Sequence, residues 1–262
     1  MMRTLIAGAI AMTLAIGSAF AEDTTRHQSW DDLLETYVVE SADGVNRFNY
    51  GGLQASARDI ATLDAYLASF ADQDFETLSQ DEQCAAWTNI YNARTVRYMI
   101  GRYPVKSIRS GSISGPWKRV KTVVDGESIS LDAIEHKKLR PMGDARIHYA
   151  INCASYGCPN LRRDAWVAET LDEDLDEAAR AYINHPRGVA IRPKGGLQVS
   201  AIYKWFKDDF GGSEDSVIAH LLDYANPVLA TQIRANADIK KYDYDWSLND
   251  AKIPSAAPQE GL

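Results

Sequence analysis

Cysteine is scarce in this chain: three in 262 residues, an odd number. No Cys-x-x-Cys pair, HExxH or HxxxH occurs, so neither the cysteines nor the five histidines show the spacing of a dedicated zinc site. Gly-x-Ser-x-Gly, the Walker phosphate loop and Gly-x-Gly-x-x-Gly are also missing, which removes several common hydrolase, nucleotide and dinucleotide classes. Basic residues are outnumbered, 28 against 36 acidic, for a net charge of −8. That balance argues against nucleic acid or an anionic membrane as the main partner. There is no internal repeat and no low-complexity linker, and nothing after Ala21 reads as transmembrane.

The first 21 residues read as a cleavable signal peptide. Arg3 is a short positive region, Leu5 to Ile16 is apolar, and Ala19-Phe20-Ala21 fits the small-x-small cleavage rule. The expectation is a mature chain that starts at Glu22, exported to the periplasm or secreted, with no membrane anchor. Residues 22–253 are expected to form one domain, followed by a loose Pro/Ala tail over 254–262.

Within that domain the periodicity mixes helices and hairpins without regular βαβ alternation. A first helix is expected over Trp30 to Val39 with Ser29 as its cap, and a short strand over Arg47 to Tyr50. Ile60, Leu63, Leu67 and Phe70 recur at helical spacing. Ser79-Gln80-Asp81-Glu82 is a capping box that opens a helix ending near Gly101. Two β-prone runs around Asp125-Gly126 predict a hairpin, and Val189 to Arg192 with Leu197 to Ser200 predicts a second. Helices are expected over Asp132 to Leu139, Leu171 to Ile183, Ala201 to Asp208 and from Ser213 to Tyr224. Tyr242, Tyr244, Trp246 and Leu248 alternate with polar residues as a late strand. The class is therefore α+β, a single domain with helices packed on a small antiparallel sheet and hairpins.

The segment Arg146-Ile147-His148-Tyr149-Ala150-Ile151-Asn152-Cys153-Ala154-Ser155-Tyr156-Gly157-Cys158-Pro159 concentrates the chemistry. Read as a strand, it sets Arg146, His148 and Asn152 on one polar face and turns at the small residues that follow. A thiol needs a base or a cation nearby to react, and a histidine here could supply it. The alternative is a structural Cys153–Cys158 disulfide with His148 as a core residue. Asn89 and Asn92, three apart on the capped helix, either bind a ligand or pair within the core. Glu135 and His136 lie in the short helix. Cys84 reads as core packing, and His27, His185 and His220 as surface residues.

Several of these motifs together resemble the DUF547 family, a domain of unknown function found in exported bacterial proteins and in some plant proteins. Trp87-Thr88-Asn89-Ile90-Tyr91-Asn92-Ala93 looks like its W-x-N-x-Y-N-A helix. Ser130 to His136, with Leu139-Arg140-Pro141, looks like its S-L-x-x-I-E-H…L-R-P segment. Arg146 to His148, Cys153 to Ser155 and Cys158 to Leu161 look like its R-I-H…C-x-S…C-P-x-L block. Trp205-Phe206 with Asp209-Phe210, and Tyr244 to Asn249, look like later motifs. The resemblance implies a common site at Asn89, Asn92, Glu135, His136, Arg146, His148, Cys153 and Cys158. It is also loosely similar to papain-like and transglutaminase-like thiol enzymes.

The leading expectation is a thiol-dependent hydrolase or acyl transferase acting on peptide-like or glutathione-like molecules. Cys153 would be the nucleophile and His148 the base, with Glu135 or Asn152 orienting it. Asn89, Asn92, Arg146, Asn152, His136 and Ser155 would contact substrate. No cofactor or metal is implied. The alternatives are a non-catalytic module that binds a small molecule or peptide and is stapled by Cys153–Cys158, and a thiol–disulfide exchange protein.

Overall fold

The computed structural model describes residues 23–112 and 114–251. The expected signal peptide and its cleavage site, and the C-terminal tail, lie outside the described residues. The chain folds as α+β, with helices around small sheets. Among the described residues no helix is long and apolar enough to cross a membrane.

The N-terminal half is built on a long central helix. Helix α1 (23–37) leads into β1 (Val38–Val39), which pairs antiparallel with β2 (Arg47–Phe48). Helix α1 thus begins before the expected cap at Ser29. Helices α2 (Tyr50–Ala55) and α3 (Ala57–Ala68) follow, capped by Asn49 and Ser56. Helix α4 (Gln80–Ile100) starts at the predicted capping box, where Ser79 and Glu82 satisfy each other's backbone N–H groups. Its sequence is buried nearly all round, from Cys84 to Ile100. It is therefore a core helix and not an amphipathic surface one. The hairpin β3 (Lys121–Val124) and β4 (Glu127–Ser130) closes at Asp125-Gly126, both with positive φ, as the Asp-Gly pair requires.

The next helix is irregular. Helix α5 (Leu131–Ala133) runs into a π-helical turn over Ile134–Leu139. Its wider winding puts residues five apart on one side, and Ile134 and Leu139 are both fully buried. Glu135 and His136 are thereby left on the other side. Such π segments recur at functional sites.

The cysteine-bearing segment departs from the expected strand. Residues Ile147–Ala150 form a short helix, α6, and all four are buried. Asp144 accepts the Arg146 N–H at 2.8 Å and starts the turn, and Asn92 ends it. The Asn92 side chain donates to the Ala150 carbonyl at 3.0 Å and accepts the Asn152 N–H at 2.7 Å. The two-residue periodicity of Arg146 to Asn152 therefore never forms a polar face. An apolar run this short fits either conformation, and the long-range asparagine decides it.

The C-terminal half has its own apolar cluster around Tyr149, Tyr182, Tyr203 and Phe210. Helix α7 (Leu171–Ile183) packs on it. Strands β5 (Val189–Ile191) and β6 (Leu197–Ser200) form the second predicted hairpin. Helices α8 (Ile202–Trp205), α9 (Glu214–Tyr224) and α10 (Pro227–Ala235) follow. Helix α10 was not anticipated, although Asn226-Pro227 is a cap followed by proline at the first turn. Strand β7 (Ile239–Asp243) pairs parallel with β6, so this sheet is mixed. The late strand ends at Asp243, before Tyr244 and Trp246.

The chain end then returns to its beginning. Phe48 and Asp250 form a parallel bridge, and Tyr50 donates to Asn249 at 2.7 Å. Tyr103 donates to Asp250 at 2.7 Å. The histidines expected on the surface are partly enclosed. His27 is buried and bonded to Tyr66 at 2.8 Å, His185 meets the Asp43 carbonyl at 2.8 Å, and His220 stacks on Tyr149. Sequence spacing alone shows no reason for this, because each partner is distant along the chain.

Asn92→Leu removes both clamp hydrogen bonds and strands a buried carbonyl and a buried N–H. We expect it to destabilise the fold by about 2–4 kcal/mol, measured by urea unfolding. A loss below about 1 kcal/mol would show that α6 ends without it.

Candidate functional site

A cavity of about 530 Å3 opens between the two halves. It is lined by Tyr91, Trp117, Glu135, His148, Cys153, Cys158, Trp205, Phe206, Tyr244 and Trp246, among others. The sequence-derived set divides sharply here. Cys153, Cys158, His148, Glu135 and His136 line the cavity. Asn89, Asn92, Arg146, Asn152 and Ser155 do not.

Those five are held elsewhere. Asn89 clamps the backbone of Trp166, donating to its carbonyl at 2.7 Å and accepting its N–H at 3.0 Å. Asn92 clamps 150 and 152 in the same way. Asn152 donates to the Pro159 carbonyl at 2.7 Å and accepts the Ala154 N–H at 2.8 Å. Arg146 pairs with Asp144, Asp172 and Asp176. Ser155 is buried beside Cys153, 3.5 Å from its sulfur. The asparagines thus shape backbone and leave no amide for a ligand.

What they shape is the turn that carries the sulfurs. Ala154 adopts φ +62, a left-handed conformation that a residue with a Cβ takes only when its surroundings impose it. Here Asn152 holds its N–H, and its carbonyl accepts the Asn249 N–H at 3.2 Å. Gly157 approaches the chain at Asp245 so closely that a Cβ would sit 2.8 Å from that backbone nitrogen. These contacts press the turn against residues 244–249.

All three cysteines are free thiols, so the candidate Cys153–Cys158 disulfide is not formed. The two sulfurs are nonetheless joined through shared donors. Cys158 Sγ accepts the Cys153 N–H at 2.9 Å. The Tyr244 hydroxyl lies 3.2 Å from Cys153 Sγ and 3.0 Å from Cys158 Sγ. Cys153 is half-buried and Cys158 buried. Desolvation raises the Cys153 thiol well above its ordinary value, and the adjacent Cys158 sulfur raises it further. Desolvation acts on Cys158 too, but bonds from the Cys153 thiol, Tyr244 and backbone N–H groups outweigh it and lower that thiol. Negative charge on the pair therefore resides on Cys158. Cys84 is buried on α4 and pushed up to about 12, mainly by desolvation, as expected for core packing.

His148 is oriented by a group absent from the sequence-derived set. Its Nε2 donates to Asp209 Oδ2 at 2.7 Å, and its ring stacks on Phe206 with centroids 4.1 Å apart. Arg140 grips the same carboxylate with two bonds, 2.6 and 2.7 Å. Burial alone would raise Asp209, but the His148 and Arg140 bonds hold it below the usual carboxylate range. Desolvation lowers His148, more than Asp209 raises it, so a neutral ring with a free Nδ1 is favoured. Arg140 also donates to His136 Nδ1 at 2.8 Å, which leaves the proton of a neutral His136 ring on Nε2. Neither Glu135 nor Asn152 touches His148.

Glu135 is buried in the cavity wall, with no hydrogen bond to its carboxyl group among the described residues. Desolvation and then the nearby Cys153 push it up to about 8. It is a carboxylic acid at neutral pH, able to donate a proton. Asp209 and Tyr244, which bond His148 and the two sulfurs, are absent from the sequence-derived set. Both sit in motifs quoted above, the Trp205-Phe206…Asp209-Phe210 and Tyr244 to Asn249 segments. Among the described residues there is no cluster of three or more His, Cys, Asp or Glu able to hold a metal.

Searches of curated proteins and of solved structures return no match. A family model does match residues 75–183, from just before α4 to the end of α7. That stretch supplies both cavity cysteines, His148, Glu135 and the asparagine clamps, and over it the chain matches the family DUF547, described as a protein of unknown function.

Proposed function

We propose that the cavity is the active site of a thiol-dependent hydrolase or acyl transferase acting on a small, peptide-like acyl compound. The observation that carries this reading is the convergence, in one cavity, of the half-buried Cys153 thiol, the neutral acid Glu135 and the Asp209-oriented His148. Cys153 attacks the acyl carbon and forms a thioester, and its proton passes to the Cys158 sulfur that already bonds it. Glu135 protonates the leaving group as the bond to carbon breaks, and recovers its proton from Cys158 through the cavity. His148 Nδ1 then takes a proton from water as it attacks the thioester; the acid is released as the C–S bond breaks, and the imidazolium returns that proton to the leaving Cys153 sulfur, which restores the thiol and the neutral ring. His148 thus serves deacylation, because the hydrogen bonds of Cys153 run to Cys158, Tyr244 and Ser155.

The sharing of one tyrosine hydroxyl by both sulfurs favours a second reading, thiol–disulfide exchange by the Cys153/Cys158 pair. A nitrophenyl ester separates the two. Acyl transfer predicts a burst of nitrophenolate equal to the amount of Cys153, followed by slow turnover. His148→Gln and Asp209→Asn should keep the burst and reduce turnover by about 10²–10⁴-fold. Cys158→Ser should slow the burst itself. Without a Cys153-dependent burst the acyl-transfer reading falls, and exchange with a small disulfide becomes the better account.

Glu135 gives a pH test. The folded protein keeps its proton up to about pH 8, against a carboxylate value of 4.5 without the site. The folded form then binds more protons than the unfolded chain across that window, so stability falls as pH rises through it. We expect the stability of Glu135→Gln relative to the native protein to grow from about pH 4.5 to about pH 8, reaching on the order of 2–4 kcal/mol, and to level off above. Thermal or urea unfolding at a series of pH values measures this. A pH-independent difference would mean that Glu135 is ionised in the folded cavity.

The pattern of residues 1–21 supports export, with a mature chain beginning at Glu22. Mass spectrometry of a periplasmic fraction should find that start, and a chain retaining Met1 would remove export from the reading.

A further inference from the structure

One wall of the cavity is used by none of these steps. It consists of aromatic rings packed on one another: Trp205 on Tyr244 (centroids 4.8 Å) and Trp246 (5.5 Å), Tyr244 on Trp246 (4.7 Å), and Trp117 on Trp246 (5.7 Å). Trp205 is 46% exposed, a large apolar surface left in water at the cavity rim. Burying it would be favourable, so its exposure points to a ligand that covers it.

The same rim carries Lys118 and Arg119, both exposed. Several arginines elsewhere are matched to carboxylates, as Arg140 is to Asp209, Arg146 to three aspartates and Arg162 to Asp164 and Asp174. Lys118 and Arg119 have no ion pair or hydrogen bond from their side chains among the described residues. No carboxyl group of the cavity bonds them: Asp132 lies 3.9 Å from His136, and the Glu135 carboxyl makes no hydrogen bond among the described residues. In a chain of net charge −8, two adjacent cations without a bonded carboxylate at a cavity mouth make a local basic patch.

The backbone that presents them is fixed. The Arg119 and Val120 N–H groups both donate to the Pro116 carbonyl, at 2.8 and 2.9 Å, and Asp132 N–H donates to the Trp117 carbonyl at 3.1 Å. Gly115 lies under the Trp117 ring, so closely that a Cβ there would overlap it, and its φ is +70. Ring and cations therefore come from one short, bonded turn, which ties their positions together before any ligand arrives.

We propose that the molecule bound here is a small anion with a flat ring, its carboxylate at Lys118 and Arg119 and its ring on the Trp205–Trp246 wall. This rests on the acyl-transfer reading only for the reaction: it would make the substrate an acyl compound that also carries a free carboxylate. The recognition itself needs no thiol. Aromatic stacking sets the ring, and the charge-assisted bonds select for the anion.

The test compares two probes that share ring and amide and differ only in charge, N-acetyl-phenylalanine and its C-terminal amide. Titrations of the full chain are read by tryptophan fluorescence and by calorimetry. The acid is expected to bind about 10-fold more tightly than the amide, with a preference that shrinks as salt rises. Lys118→Gln with Arg119→Gln should abolish that preference, and these exposed positions should leave the unfolding midpoint unchanged. Trp205→Ala should weaken both probes alike. Equal binding of acid and amide, a preference that survives the double substitution, or no binding of either probe at millimolar concentration would overturn the proposal. Cys153→Ser separates the two readings. If it binds the acid as the native chain does, while the native chain shows no nitrophenyl burst, the ligand class stands and the acyl chemistry falls. A burst without discrimination between the probes has the opposite meaning.

Discussion

The arrangement of this site depends on one side chain that never enters it. Asn92 lies in the middle of a helix buried on all sides, where an amide is acceptable only if its donor and acceptor are both used. It uses them on the backbone at Ala150 and Asn152. The effect is that of a single rung of sheet pairing supplied by a side chain, and it stops α6 after one turn. With α6 stopped there, His148 projects toward Phe206 and Asp209, and the chain leaves at the angle that brings Cys153 into the cavity. Asn89 repeats the device one turn earlier on the same helix, against Trp166. Together they fasten a long irregular segment, from 150 to 166, to the most rigid element of the fold.

On that frame, hydrogen bonds and neighbouring charges set against a common desolvation sort the ionisable groups. Desolvation keeps Glu135 protonated, because no donor or cation bonds its carboxylate form. Asp209 is less buried and is gripped by two cationic or donor groups, so it stays charged. The cysteines divide in the same way: Cys158 gathers the N–H and O–H donors, whereas the accessible Cys153 gives up its own. Two carboxyls and two thiols of ordinary chemistry thus acquire different acidities through burial together with the donors and charges each one meets.

Local chemistry was legible where local chemistry decides. The Ser79/Glu82 box, the Asp125-Gly126 hairpin and the Ser213 cap all appear where their residues indicate. The segment from Arg146 to Asn152 was misread as a strand because its apolar and polar residues alternate, while the partners that make it helical are Asp144 and the distant Asn92. The two asparagines were visible as unusual, yet their spacing could not tell a backbone clamp from a ligand grip. Arg146 reads as a free cation for the same reason: two of its three aspartates, Asp172 and Asp176, lie on the distant helix α7. Cys153, His148 and Glu135 stand out in the sequence because they are titratable groups in short irregular segments, and all three line the cavity. Asp209 and Tyr244 do not stand out, since a lone aspartate in a short helical turn or a tyrosine after a strand gains meaning only from what folds against it.

The return of the chain end to its start has a consequence in time. Phe48, Tyr50 and Tyr103 are secured by Asn249 and Asp250, and the same closing stretch brings Tyr244 to the sulfurs and Trp246 to the cavity wall. Asp209, which aligns His148, also follows the family segment. A polypeptide emerging from its N-terminus therefore carries both thiols long before it carries the groups that differentiate them. Until residues 244–250 have been made, Cys153 and Cys158 lack the tyrosine hydroxyl that both share, and the cavity lacks one of its walls.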